Sequence, residues 1–327
     1  GSSQKFLVLY DDWFRDGYYL FKTDAYEEGF IVFSEEELLF DEANDFVGGT
    51  EEGGSFNSSA TITMNDDGVA YAGLIGLFAT DQLGRDCDPE NEASEANCRH
   101  TPIFRMSSDY GNTWNGNGGS YYGDYYSIPD DVWSHVIDNS FTDYTAACDT
   151  DTSEVLNDVW TYYNYDLKVD VDGDPHFLVE VLPCGTTDPV TGLGGYCYYA
   201  NADGSTVGAG WYHFTIDKDN LDNPGAINSP NGWNYSYVID ARQTWAYPAA
   251  DGLTMAWETH ASLAFSRTNP DIVWVVADMA VIGEADPATV NPDDPNDCLI
   301  DAIPDSYPEW SEDIFVYKSE DNGSTWW

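Results

Sequence analysis

An all-β chain assembled from repeats about 100 residues long is the fold class that the sequence predicts, on three observations. Short runs of Val, Ile, Tyr, Phe and Trp are punctuated by Asp-Gly, Asn-Gly and Asn-Pro turns, with no sustained 3.6-residue apolar period. A hairpin-like segment recurs three times at nearly constant spacing. An eight-residue turn motif recurs in step with it.

The hairpin copies are Ile62 to Tyr71, Leu167 to His176, which lies 105 residues later, and Leu263 to Trp274, with one residue inserted before the turn. The first two alternate into an Asp-Gly turn and out again; the third turns at Asn269-Pro270-Asp271. In this alignment His176 takes the place of Tyr71 and Val273, which points to a core or inner-strand position rather than a ligand. The turn motif reads S-x-D-x-G-x-T-W at Ser107, Asp109, Gly111, Thr113 and Trp114 and again at Ser319, Asp321, Gly323, Thr325 and Trp326, 212 residues apart. Each copy follows a strand, Pro102 to Met106 and Ile314 to Lys318. A middle copy falls near residue 213, where a strand enters the Asp-rich turn Asp217 to Asn220 and the motif survives only in degenerate form.

The motif has a physical logic of its own. An Asp in a tight turn accepts from nearby backbone N–H groups, the Gly two positions on takes a left-handed conformation, and the Ser and Thr hydroxyls close further local bonds. Trp then plugs the turn from beneath. The motif folds a hairpin and catalyses nothing. On these residues the chain resembles the Asp-box (BNR, sialidase-like) β-propellers, a superfamily of sialidases, some endoglucanases and sortilin-type receptors. The resemblance covers about residues 58 to 327. It implies a β-propeller whose boxes join the third and fourth strands of a blade on the rim away from the usual ligand face. It does not fix an activity, because enzymes, receptors and structural proteins share the box.

The resemblance divides the chain into an N-terminal partial blade or ring-closing segment (1–57), a repeat with a box (58–162), a repeat with a degenerate box (163–258) and a repeat ending in a box (259–327). Strand-like stretches at Phe6 to Tyr10, Tyr18 to Lys22 and Phe30 to Phe33 give the first segment its material. A bare four-stranded blade needs about 40 to 50 residues, so roughly half of each repeat is loop. The insertions at 79–101, 183–210 and 279–311 fall between second and third strands, and long ordered loops of this kind are interaction surfaces. Three blades and a fragment do not close a ring, so the expectation is an incomplete ring or part of a longer protein.

Composition narrows the function. With 59 Asp and Glu against 11 Lys and Arg the formal charge is -48, which excludes nucleic-acid binding and attraction to anionic membranes. Disorder is excluded by 42% hydrophobic and 15% aromatic residues. No apolar run reaches membrane-spanning length. Six cysteines without a CxxC pair or a clustered His/Cys ligand set read as disulfides in an oxidising compartment. Cys87 with Cys98 and Cys184 with Cys197 are local loop staples, leaving Cys148 and Cys298 to pair over a long range or stay unpaired.

The candidate chemistry is sparse. Sialidases grip a carboxylate with three arginines, but only six Arg occur here, and Phe104-Arg105-Met106 sits in the strand before a box rather than in an early motif. Trp257-Glu258-Thr259-His260 is the most enzyme-like cluster, so Glu258 and His260 are the residues a glycoside hydrolase would use. Calcium is the cofactor the acids suggest: Asp170, Asp172 and Asp174, and Asp217, Asp219 and Asp222, space oxygens as hard-cation loops do, although neither run ends in a bidentate Glu. Tyr121-Tyr122-Gly123-Asp124-Tyr125-Tyr126, Trp160 to Tyr165 and Tyr198-Tyr199 read either as contact surfaces or as packing between blades. The function expected is an extracellular or cell-surface, non-catalytic module that binds a glycan, a protein or copies of itself, in adhesion or assembly. The alternative is a secreted glycoside hydrolase of the same fold.

Overall fold

A computed structural model describes residues 6–12, 14–27, 30–47, 57–80, 87, 99–115, 125–141, 144–145, 153–154, 156–185, 208–240, 244–245, 256–257, 260–281 and 311–327. The chain is all-β, with several antiparallel sheets. Sheet I holds β1 (Leu7–Asp12), β2 (Gly17–Glu27), β3 (Phe30–Phe33) and β4 (Glu37–Asp41), with β2 pairing all three others, and is followed by the single turn α1 (Glu42–Asp45). Sheet II is β5 (Thr61–Met64), β6 (Ala70–Gly76), β7 (Thr101–Ser107) and β8 (Tyr126–Ser127) in sequential order. Helix α2 (Asp130–Ser140) and a two-residue pair, β9 (Tyr144–Thr145) with β10 (Ser153–Glu154), lead to sheet III. Sheet III runs β11 (Leu156–Val169), β12 (Pro175–Gly185), β13 (Gly210–Thr215) and β14 (Asn234–Asp240). A second short pair, β15 (Thr244–Trp245) with β16 (Ala256–Trp257), precedes sheet IV, made of β17 (His260–Phe265), β18 (Val273–Val281) and β19 (Ser311–Ser319).

The three repeated hairpins open sheets II, III and IV. Met64 pairs with Ala70, Val169 with Pro175 and Phe265 with Val273, so the turns lie in equivalent places. The first two turn through Gly68 (φ 85°) and Gly173 (φ 93°), a left-handed conformation that glycine adopts without strain. The register corrects one alignment. Thr63 pairs with Tyr71, Lys168 with His176 and Ala264 with Trp274, so the counterpart of His176 in the third copy is Trp274, not Val273. The residue inserted before the third turn shifts the outgoing strand by one.

Strand alternation then produces one packing rule used three times. In sheet II, Ala70, Ala72 and Leu74 face sheet I, against Tyr18, Leu20 and Phe40. The alternate residues Tyr71, Ile75 and Phe104 face sheet III, against Leu167, Phe177 and Val179. In sheet III the other parity, Leu178 and Trp211, faces sheet IV, against Leu263, Val273 and Val275. Each sheet therefore packs one face on its predecessor and offers the other to its successor. First strands are tied across these interfaces: the Thr61 N–H donates to Tyr165 Oη (3.0 Å) and the Leu263 N–H to Asp166 Oδ2 (2.8 Å). Tyr71 Oη donates to the Gly173 carbonyl in the next hairpin turn (2.8 Å).

Hairpin turns and the connections after the third strands share one rim. The Tyr110 N–H donates to Gly68 O (2.9 Å), and the Asn322 N–H to Asp271 O (2.9 Å). The insertions leave from the opposite rim, between β6 and β7, β12 and β13, and β18 and β19. Sheet I confirms the three N-terminal strand-like stretches and adds β4. Helix α2 departs from the absence of helical periodicity expected from the sequence. Pro129 precedes it, Asp130 and Asp131 occupy its first turn, and Val132, Trp133 and Val136 bury one face. Trp133 packs on Phe214 with ring centroids 5.0 Å apart and donates from Nε1 to Thr101 Oγ1 (3.0 Å).

Candidate functional site

The two S-x-D-x-G-x-T-W motifs fold into the same turn, with the same Ser, Asp and Thr hydrogen bonds. Ser107 Oγ donates to Asp109 Oδ1 (2.9 Å) and accepts from the N–H groups of Asp109 (3.3 Å) and Gly111 (2.8 Å). Ser319 repeats this with Asp321 Oδ1 (2.8 Å) and the N–H groups of Asp321 (3.2 Å) and Gly323 (2.8 Å). Asp109 also accepts the Thr113 N–H and hydroxyl (both 2.8 Å), and Asp321 accepts the Thr325 N–H (2.9 Å) and hydroxyl (2.7 Å). Partial desolvation raises both carboxyls, but these donors outweigh it and hold each below the usual carboxylate range. Tyr110 and Gly111 (φ 62° and 75°), like Asn322 and Gly323 (φ 55° and 80°), take the left-handed region. The residue after each Trp then pairs with the residue before each Ser, Asn115 with Met106 and Trp327 with Lys318. Trp114 is buried and Trp326 half-buried.

In sheet III the register, carried one residue past Thr215, puts buried Ile216 where Ser107 and Ser319 stand. Without that hydroxyl a 3-10 turn, Lys218–Asn220, forms instead, with Asp217 Oδ1 accepting the Asp219 N–H (2.8 Å). The degenerate copy keeps the position and loses the bonding.

All three connections lean on the preceding sheet. A Cβ on Gly111 would meet Leu7 of sheet I, Asp222 Oδ1 accepts Tyr126 Oη of sheet II (2.9 Å), and Gly323 lies against the His213 ring of sheet III. Arg105 is absorbed by the same packing: its guanidinium donates to Leu39 O and Trp114 O, both at 3.1 Å.

The feature that sequence reasoning missed is a buried polar chain running from the second hairpin to the last motif. Asp170 Oδ2 lies 3.5 Å from His176 Nε2, and His176 Nδ1 lies 2.8 Å from His213 Nε2. The other nitrogen of His213 is left for the Gly323 backbone, and Trp326 meets the ring edge-on at 5.5 Å between centroids. Asp170, His176 and His213 are all essentially inaccessible to solvent. Burial alone would raise Asp170, but His176 and the N–H groups of Asp174 and Gly173 hold it below the usual range. Burial, and then the neighbouring His176, push His213 well below the ordinary imidazole value, against the hydrogen bond to Gly323. No local motif announces this chain, because His176 and His213 are 37 residues apart and meet only through strand pairing. His213 also borders a cavity of about 320 Å³ lined by uncharged groups, Thr215, Asn228, Asn234 and Tyr235 of sheet III with Asn322 to Ser324 of the motif.

The acidic runs do come together, but their oxygens serve the chain's own donors. Asp170 Oδ1 accepts the Asp174 N–H (2.8 Å), and Asp174 Oδ1 accepts the Lys218 N–H (3.0 Å). Asp172 and Asp219 point to solvent. Among the described residues no group of three or more His, Cys, Asp or Glu side chains is arranged to hold a metal ion. Glu258 lies outside the described residues. His260 is exposed, at the start of β17, and its N–H donates to Asp278 Oδ1 (2.7 Å). Tyr125 and Tyr126 are buried and pack between sheets, whereas Trp160, Tyr162, Tyr163 and Tyr165 are half-buried, with Trp160 stacked on His100 at 4.2 Å. Tyr121, Tyr122, Tyr198 and Tyr199 lie outside the described residues. Cys87 and Cys184 are buried; Cys98, Cys197, Cys148 and Cys298 also lie outside them.

Comparison with protein-family models and with curated proteins finds no match to this chain.

Proposed function

We propose that this chain is an extracellular or cell-surface, non-catalytic module of the Asp-box β-propeller type, which binds a glycan or a protein or assembles with copies of itself. The observation that carries the reading is the division of labour between its rims. On one, the Ser, Asp and Thr groups of both turn motifs are consumed by internal hydrogen bonds. From the other leave the three long insertions, in the position where loops act as recognition surfaces. The local staples Cys87 with Cys98 and Cys184 with Cys197 belong to this reading, since each closes one such insertion and suits an oxidising compartment. Incubating the purified chain with a panel of aryl glycosides and polysaccharides is expected to give no turnover, and a glycan array is expected to give saturable binding or none. Turnover that disappears in Glu258→Gln would replace this reading with the hydrolase.

The charge of -48 belongs to the same proposal. Such a surface repels itself, and screening by salt or divalent cations removes the repulsion. The melting temperature is expected to rise by several degrees between low salt with chelator and either molar NaCl or millimolar calcium. An unchanged value in both would sink the idea.

A further inference from the structure

Among the described residues the packing rule leaves two faces exposed, and they are opposite halves of the same interface. In sheets I, II and III the face turned toward the successor is buried; its equivalents in sheet IV are open, with Val276 40%, Val316 61% and Ile314 75% exposed. The half-buried Trp274 stands among them, at the position that Tyr71 and His176 fill in the sheets before. Sheet I has the complementary gap. Its residues of one parity, Leu7, Leu9, Tyr18 and Leu20, pack on sheet II. Those of the other parity form the face that every later sheet presses onto its predecessor, and here Phe6 and Val8 are each 44% exposed and Leu38 41%. Tyr10 stacks on Tyr19 and on Phe21 across this open face, at 5.8 and 5.5 Å between centroids, which gives it a rigid aromatic floor.

We propose that the open face of β17–β19 in one molecule receives the open face of sheet I in a second copy, so that the packing used three times within the chain continues between chains. The occupant is argued from the chain itself: what covers a successor-turned face, at all three internal interfaces, is the predecessor-turned face of another of its own sheets. Such a head-to-tail contact is heterologous, closing into a ring or growing as a filament according to the rotation between copies. The contact has an apolar centre, with charged groups beside it: Arg15, over the Tyr19 ring and paired with Glu36, on the sheet I face, and Asp278 and Lys318 on the sheet IV face. The molecules repel one another through their net charge, so association strengthens with added salt.

The proposal rests on the self-assembly branch of the function above. Its test uses the full chain and two variants at exposed positions, Val316→Asp and Val8→Asp, checked for native circular dichroism and followed by sedimentation velocity in 0.1 and about 1 M NaCl. The wild type is expected to form oligomers that grow with concentration and with salt. Each variant alone is expected to remain monomeric, since one half of the interface is blocked in every molecule. Mixing the two restores one intact pair of faces and is expected to give a 1:1 heterodimer and nothing larger. Val316→Lys and Val8→Lys are expected to behave in the same way, which separates loss of the apolar contact from added acid. A wild type that stays monomeric throughout, oligomers that survive both substitutions, or a mixture without the heterodimer would overturn the proposal. Glycoside turnover by the same samples would instead overturn the functional reading, whatever their assembly state.

Discussion

Gly323→Ala is expected to destabilise the chain by about 3 kcal/mol, through left-handed backbone strain of about 1 to 2 kcal/mol and a steric clash of similar size. Gly323 sits at φ 80°, and a Cβ there would lie 2.2 Å from His213 Cε1 and 2.3 Å from Nδ1. The ring is tied to His176 and meets Trp326 edge-on, so moving it away from a Cβ breaks those contacts. Gly111 occupies the same place in the first motif, yet a Cβ on it would meet only the terminal methyl groups of Leu7, at 2.9 and 3.0 Å. A leucine side chain can rotate away, so Gly111→Ala is expected to cost about half as much, mostly the backbone part. Urea unfolding of the two variants checks the ranking. Equal losses would show that the His213 contact adds nothing to the backbone requirement.

The second large effect is expected from Asp170→Asn. Asp170 Oδ1 accepts the Asp174 N–H (2.8 Å) and Oδ2 lies 3.5 Å from His176 Nε2, both out of solvent; replacing the carboxylate leaves buried polar groups poorly matched, and about 1 to 3 kcal/mol is the usual scale of that loss. The pH dependence follows from the directions of the shifts. Asp170 has a lowered folded pKa, so its stabilisation is present above the unfolded value of about 3.9 and is lost as pH falls through the folded one. His213 is also lowered, so below about 6.5 the unfolded chain takes up a proton that the folded chain refuses, and stability again falls with acid. Acidification also relieves the repulsion of a -48 surface, so the measurement is the difference between wild type and variant at each pH, in which that contribution cancels. Between pH 7 and 5 the wild type is expected to lose stability relative to His213→Gln, and below pH 4 relative to Asp170→Asn. A pH-independent difference in both comparisons would mean that the chain of polar groups is not titrating as assigned.

Much of this architecture was legible because local chemistry and global packing agree in it. The first two hairpins announce themselves through Asp-Gly turns whose geometry only glycine meets cheaply, and the Ser, Asp and Thr side chains of the two turn motifs find hydrogen-bond partners within the same eight residues. The three insertions were placed correctly because a strand pair that reappears in phase fixes what lies between. What escaped depended on pairing across distance. The one-residue shift that sets Trp274 against Tyr71 is decided by strand register, and the His176–His213 contact by two strands that neither residue's neighbours identify. Helix α2 escaped for another reason: its apolar positions, Val132, Trp133, Val136 and Ile137, span less than two turns of periodicity inside a strand-rich neighbourhood.

The separation of rims has a consequence for how such a chain can change. The interfaces between sheets are written in strand residues and in the turns of one rim, whereas the insertions enter and leave at the other, between strands already paired with each other. Lengthening a loop whose ends are already fixed adds little closure entropy, about 0.6 kcal/mol for each doubling. Sequence on that rim can therefore be exchanged, extended or grafted with little effect on folding, provided buried anchors such as Cys87 and His100 are kept, which makes the molecule a scaffold with three display positions on a frame that stays constant.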